Sequence, residues 1–162
     1  MHLPDSILSK IFKAEELQQE LSQKRPGQKV VFTNGCFDII HLGHLHLLSS
    51  AREMGDLLVV GLNTDDSVKR LKGNDRPVKD QETRALVLAS MEFVDYVVLF
   101  DEDTPMELIR TLGPDVLVKG GDYAIHDIVG ADFIIKNGGE VRTVPYLEGY
   151  STTSLLDGSK KS

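Results

Sequence analysis

Thr33–His44 reads T-N-G-C-F-D-I-I-H-L-G-H and sets two histidines three residues apart, where an apolar strand hands over to a helix. A helix N-terminus exposes unpaired N–H groups and carries partial positive charge, so it suits a phosphate before any side chain is added. At ~100° per residue, His41 and His44 fall ~60° apart and share one helical face, whereas His46 points ~140° from the first. Two imidazoles in that first turn suit a phosphate whose charge changes during a reaction. The spacing therefore points to phosphoryl or nucleotidyl transfer. Gly43, between the two rings, costs ~1 kcal/mol against alanine inside a helix, and close approach of a nucleotide to the backbone would offset it. Two plainer readings stand beside this one. Histidines at a helix start also cap it or fill space, and a short H-x-x-H motif does not decide between these roles. Structural zinc needs a third and fourth ligand, and Cys36, His2 and His126 are not motif-linked to the pair.

The dinucleotide fingerprint G-x-G-x-x-G is absent after this strand; Phe37, Asp38 and the histidines occupy its place. A reactive triphosphate fits that space better than a passive pyrophosphate. A second group of charges, Arg70, Lys72, Arg76 and Lys79, falls within ten residues of a chain whose formal net charge is −7. With 25 acidic and 18 basic residues, a broad basic face for nucleic acid or membrane surfaces is not expected. The segment Leu71–Lys79 reads as a lid beside a phosphate site or as a solvated charged loop. Arg84 suits either a phosphate or a surface pair with neighbours such as Glu82. Ser151–Thr153 suits an N-cap, itself an anion site, and Asp122 after two glycines suits a turn or the site.

The elements around these residues follow from hydrophobic patterning in 162 residues, 41% of them apolar. Strands are expected at Lys29–Thr33, Leu57–Leu62, Asp95–Phe100, Asp115–Val118 and Gly139–Val144. Helices are expected at residues 14–25, Leu42–Met54 with Gly55 as its C′ residue, Asp65–Arg70, Gln81–Met91, Pro105–Leu112, Ile125–Asn137 and Thr152–Leu156. Strands apolar on both faces and separated by helices imply a parallel sheet covered on both sides. The predicted fold is thus α/β and Rossmann-like: a doubly wound, five-stranded parallel sheet in the order 3-2-1-4-5. Its first and fourth strands meet at the switch point, where ligands bind beyond the carboxyl ends. Residues 1–27 read as a helical extension, 28–157 as the functional domain and 158–162 as a flexible tail. Met1–Lys10 lacks a basic segment followed by an apolar core, and no apolar run approaches ~18 residues. The single cysteine excludes an internal disulfide. A cytoplasmic protein is expected.

The stretches G-C-F-D-I-I-H-L-G-H, L-N-T-D-D-S-V-K-R-L-K-G-N-D-R-P-V, V-K-G-G-D-Y and E-G-Y-S-T-T together resemble the HxGH-bearing, cytidylyltransferase-like nucleotidyltransferases. Over about residues 28–157 the chain is similar to the branch that makes ADP-heptose from ATP and a heptose 1-phosphate. The resemblance implies triphosphate contacts and transition-state stabilisation for His41 and His44, and a loop lysine reaching both substrates in Lys72. It implies nucleotide contacts for Gly35, Cys36, Phe37, Gly43, Lys119, Gly120, Gly121, Asp122, Glu148, Gly149, Ser151, Thr152 and Thr153. Asp38, Asn63, Asp65, Lys72 and Arg76 would lie near the sugar phosphate. Mg2+ would be bridged by the phosphates, with no metal site built by protein alone. A homodimer and a separately encoded sugar kinase are the implied partners, with no nucleic acid and no membrane. Tyr146 stands where glycerol-phosphate cytidylyltransferases carry arginine, which weakens a CTP-using alternative acting on glycerol 3-phosphate or another polyol phosphate.

Overall fold

Val-rich segments cross the middle of the molecule, and all seven residues of the strand Leu57–Asn63 are buried. The computed structural model describes residues 2–24 and 26–150. Its strands are β1 (Ile11–Phe12), β2 (Val30–Gly35), β3 (Leu57–Asn63), β4 (Tyr96–Phe100), β5 (Val116–Gly120) and β6 (Glu140–Val144). The helices are α1 (Asp5–Leu8), α2 (Ala14–Lys24), α3 (Leu42–Arg52), α4 (Asp65–Lys72), α5 (Gln81–Ala89), α6 (Met106–Leu112) and α7 (Ala131–Lys136). Every strand pair is parallel. Successive strand residues point to opposite faces. Val31, Leu58 and Val97 therefore enter one core layer with Leu48 and Leu88, while Phe32, Val59 and Val98 enter the other with Leu17, Ile109 and Ile134.

The sheet has six strands in the order β1-β4-β3-β2-β5-β6, not five in the order 3-2-1-4-5. The difference is β1, a two-residue strand on the outer edge of β4. So short a strand leaves no apolar run to detect. It is held by tertiary contacts: the Val97 N–H donates to the Lys10 carbonyl at 2.9 Å, and Lys10 Nζ donates to the Val94 carbonyl at 2.8 Å. Residues before position 28 thus supply both an edge strand and Leu17, which has no exposed surface.

Two other expectations change. The helix expected over Ile125–Asn137 is broken into a 3-10 turn, Ile125–Asp127, and α7. Gly130 makes the break at φ 88, packed so tightly on Ile109 that an added Cβ would lie 2.7 Å from Cδ1. Gly55 is not the C′ residue of α3, whose C-cap is Glu53. It lets the chain pass Val31 and the Lys29 carbonyl, where a Cβ would come within 2.6 and 2.7 Å. The expected helix Thr152–Leu156 and the tail 158–162 lie outside the described residues.

Candidate active site

Past the carboxyl end of β2 the chain turns through Cys36 and Phe37. Phe37 is the only non-glycine among the described residues at positive φ, 45°. A phenylalanine in the left-handed region is strained, and such strain persists only where surroundings impose it. The ring is buried, covers Gly35 closely enough that a Cβ there would sit 3.0 Å from it, and lies 5.2 Å from the His44 ring. This turn sets the histidines. His41 is the N-cap of α3, with extended backbone, and His44 is the third residue of the helix. The two therefore do not occupy one helical face, as the spacing suggested. Their rings stack, with centroids 3.8 Å apart and planes 27° apart.

The His41 N–H donates to His44 Nδ1 at 3.3 Å. With Nδ1 accepting, the neutral His44 ring carries its proton on Nε2 and presents a donor. Burial, then the neighbouring His41 and Lys72, push the His44 pKa down to about 4. Burial also lowers His41, whose Nδ1 is buried with no partner among the described residues. Near neutral pH both rings are uncharged. They offer oriented N–H dipoles, not the standing positive charge that a histidine pair suggests in sequence. Capping and ligand binding are compatible here, because capping uses one face of His44 and leaves Nε2 free of it. Gly43 has a structural reason as well: a Cβ would lie 3.0 Å from the His41 ring and 3.3 Å from the Tyr150 carbonyl.

Depressed histidine pKa values make stability pH-dependent. Between about 6.5 and about 4 the unfolded chain binds a proton at His44 that the folded chain refuses. Stability is therefore full above pH 6.5 and declines as pH falls through that window, by on the order of 1–2 kcal/mol from His44 once solvent screening of its partly exposed ring is allowed for. Thermal melts at pH 7.5, 6 and 5 should show this decline, and His44→Asn should flatten it. An identical pH profile in the variant contradicts the assignment.

The charged loop is tied down at its far end. Asp38 has no exposed side-chain surface. It accepts from the Val78 N–H at 2.8 Å, the Lys79 N–H at 2.8 Å and Arg76 Nε at 2.7 Å. Burial opposes its ionisation, but the Lys79 and Val78 N–H groups and the Arg76 guanidinium outweigh that and hold its pKa below the usual value. Asp38, expected beside the sugar phosphate, is thus taken up by Arg76 Nε and the loop backbone, while Arg76 Nη2 is buried with no partner among the described residues. Arg84 is neither a phosphate ligand nor a surface residue. It is 1% exposed and donates to the carbonyls of Cys36 (2.7 Å), Asn63 (2.8 Å) and Lys79 (3.0 Å) and to Asp65 Oδ1 (2.8 Å). One guanidinium thereby joins the ends of β2 and β3 to the loop. Its position four residues before buried Leu88, on the apolar face of α5, was the available signal.

Three adjoining cavities form one cleft along the carboxyl ends of β2, β3, β5 and β6. The first, about 550 Å3, lies between the start of α3 and the segment after β6, lined by His41, Gly43, Gly120, Tyr146, Glu148 and Gly149. The second, about 480 Å3, is lined by Cys36, Asn63, Lys72, Lys119 and the turn Asp127–Val129. A third, about 170 Å3, joins them, with His44 and Gly120 shared with the first and Lys72 and Lys119 with the second. Gly35, Cys36, Phe37 and Asp38 line this junction. Gly121, at φ 110, lies under the Tyr146 ring. Asp65, Arg76 and exposed Asp122 line none of the three cavities. Ser151, Thr152 and Thr153 lie outside the described residues. The junction thus gathers two lysines, the neutral His44 imidazole and a helix N-terminus, a setting for an anion between two larger ligands.

Comparison with known proteins agrees with this geometry. Residues 32–155 match the family model described as cytidylyltransferase-like. The chain is 58% identical over 147 residues to the bifunctional protein HldE of Campylobacter concisus (strain 13826), covering 91% of this chain and 30% of that protein. It is 51% identical over 150 residues to the bifunctional protein HldE of Citrifermentans bemidjiense, covering 92% and 31%. The chain therefore spans about 30% of the length of these relatives. Among solved structures, the lipopolysaccharide core biosynthesis protein of Thermoplasma volcanium GSS1 is 31% identical with a TM-score of 0.62, covering 77% of this chain and 100% of that one. By fold, by the His41–His44 helix start and by these similarities, the chain belongs to the cytidylyltransferase-like family.

Proposed function

We propose that this protein transfers AMP from ATP to a heptose 1-phosphate, giving ADP-heptose and pyrophosphate. The observation that carries the reading is the three-part cleft, with an anion-binding junction between two cavities of small-molecule size. The identity to the bifunctional HldE proteins and the similarity to a lipopolysaccharide core biosynthesis protein support a sugar phosphate as acceptor. An acceptor phosphate oxygen forms a bond to the α-phosphorus as the α–β bridging bond breaks, and pyrophosphate leaves with that electron pair. The acceptor is already anionic, so no general base is needed. The obstacle is repulsion between two anions, so positioning and electrostatics carry the acceleration. Lys72 and Lys119 draw the anions together, and His44 Nε2–H and the α3 N-terminus face the α-phosphoryl oxygens as charge develops.

Nucleotidyl transfer in general uses a divalent metal. Among the described residues no group of three or more His, Cys, Asp or Glu is placed to hold one. Mg2+ would therefore arrive with the triphosphate as part of the substrate. No described helix is long and apolar enough to cross a membrane. A cytoplasmic location, a homodimer and a sugar kinase activity supplying the acceptor complete the reading. It is tested by pyrophosphate release from each nucleoside triphosphate with a panel of sugar and polyol phosphates. ATP with heptose 1-phosphate should react fastest; preference for CTP with glycerol 3-phosphate would displace the proposal.

A further inference from the structure

Two residues expected to hold the acceptor sugar are committed elsewhere, Asp38 to Arg76 and the loop backbone and Asp65 to Arg84, and Arg76, whose Nη2 keeps no partner among the described residues, lines none of the three cavities. Of the expected group, only Lys72 and Asn63 line the 480 Å3 cavity, and Asn63 Nδ2 donates to Ser67 Oγ at 3.0 Å. The sugar must therefore be read by other side chains. We infer that the turn created by the break before α7, through Asp127, together with Thr104 after β4, forms the site that recognises the hydroxyls of the acceptor sugar. This inference rests on the proposed reaction for the identity of the acceptor.

The cavity is divided by polarity. At the end shared with the junction stand Lys72 and Lys119, neither in an ion pair with any described residue; Lys119 Nζ lies 5.6 Å from the centre of the Tyr123 ring. Away from the junction, the wall carries Asp103, Thr104 and Asp127. Asp103 is occupied by Arg70 Nε at 3.0 Å. Asp127 and Thr104 are exposed at the cavity rim, and neither side chain has a hydrogen-bond or ion-pair partner among the described residues, so both are open to a ligand entering from solvent. Phe100, Leu117 and Ile128 are buried and supply apolar lining.

Two free cations at one end, free hydroxyl-matching groups at the other and an apolar lining between them fit one class of ligand. It has an anionic phosphate head and a neutral, polyhydroxylated ring whose C–H face packs on apolar carbons. A carboxylate accepts strongly from sugar hydroxyls and repels a second anionic group, so it favours an uncharged sugar body over an acidic one. The position of Asp127 follows from tertiary packing. Asp127 ends the 3-10 turn, the chain runs extended at Ile128 and turns at Gly130 into α7, and Asp127, Ile128 and Val129 line the cavity.

The test is calorimetric titration of the whole protein with heptose 1-phosphate, comparing wild type with Asp127→Asn, Asp127→Ala and Thr104→Val, with ATP titrated separately. Asp127→Ala should weaken sugar phosphate binding about tenfold or more, and Thr104→Val several-fold, with ATP affinity within twofold of wild type. Glycerol 3-phosphate, which has far fewer hydroxyls, should bind wild type and Asp127→Ala alike. Unchanged heptose 1-phosphate affinity in both Asp127 variants overturns the inference, as does a wild type that does not bind this ligand. Because binding is read without turnover, a wild type that binds the sugar phosphate normally but releases no pyrophosphate with ATP refutes the reaction alone.

Discussion

Replacing His44 with asparagine is expected to lower kcat by about 10²–10³-fold, the range seen when one preorganised donor to a developing oxyanion is removed. Asparagine is the informative choice. Its side-chain oxygen reaches where Nδ1 lies and can still accept from the His41 N–H, so the helix cap survives, but nothing replaces the Nε2 donor. Glutamine does the opposite, placing a donor near Nε2 and giving up the cap. A catalytic role predicts that glutamine retains more turnover than asparagine at saturating ATP, while asparagine retains more thermal stability. If His44 only capped α3, the order of the two variants would follow stability in both measurements. The charge state sharpens the expectation. With a His44 pKa near 4, the ring acts as a neutral donor at neutral pH, so its loss should appear across the whole range from pH 6 to 9. A defect confined to acidic pH would contradict the neutral-donor mechanism.

The largest expected stability change is at Arg84. Arg84→Met keeps an apolar stem of similar length but strands the Asp65 carboxylate and leaves the carbonyls of Cys36, Asn63 and Lys79 without this donor. Because Asp65 is 30% exposed, the penalty falls mainly on the carbonyls left without this donor, and the loss is on the order of 2–4 kcal/mol. For a domain of this size that is a fall in Tm on the order of 10 °C. Arg84→Lys keeps the charge but cannot span three carbonyls and a carboxylate from one planar fork, so it should recover only part of the loss. The double variant Arg84→Met with Asp65→Leu should be more stable than Arg84→Met alone, because it removes the stranded charge. A Tm for Arg84→Met within a degree or two of wild type would show that these bonds are dispensable. Activity of Arg84→Lys should fall through positioning, with a higher KM for both substrates, since the carbonyls it holds end the two strands that border the cleft.

Much of this site was legible in sequence, and the residues show why. The His41–His44 pair and the Lys119–Gly120 turn follow strand ends, which are marked by where apolar runs stop, whereas Lys72, at the end of α4, was marked by a cluster of cations and by the resemblance. Their protonation was not recoverable. Burial lowers both histidines, and burial is a property of how the folded chain packs neighbours such as Phe37 against them, which spacing does not reveal. Asp38, Asp65, Arg76 and Arg84 show the same limit from the other side. The resemblance placed Asp38, Asp65 and Arg76 near the sugar phosphate, and Arg84 suited either a phosphate or a surface pair, yet Asp38 is taken by a loop 38 to 41 residues on, and Arg84 bonds Asp65 and carbonyls as far as 48 residues away.

Local pattern therefore determined the class of fold, the five longer strands and the helix start that faces a phosphate, since each is encoded by periodicity or by a short run of residues. Tertiary structure alone decided the edge strand Ile11–Phe12, the Gly130 break before α7, and which charged groups remain free for ligands. Those outcomes depend on long-range pairing: a two-residue strand exists only against β4, and a carboxylate is free only if no distant donor reaches it.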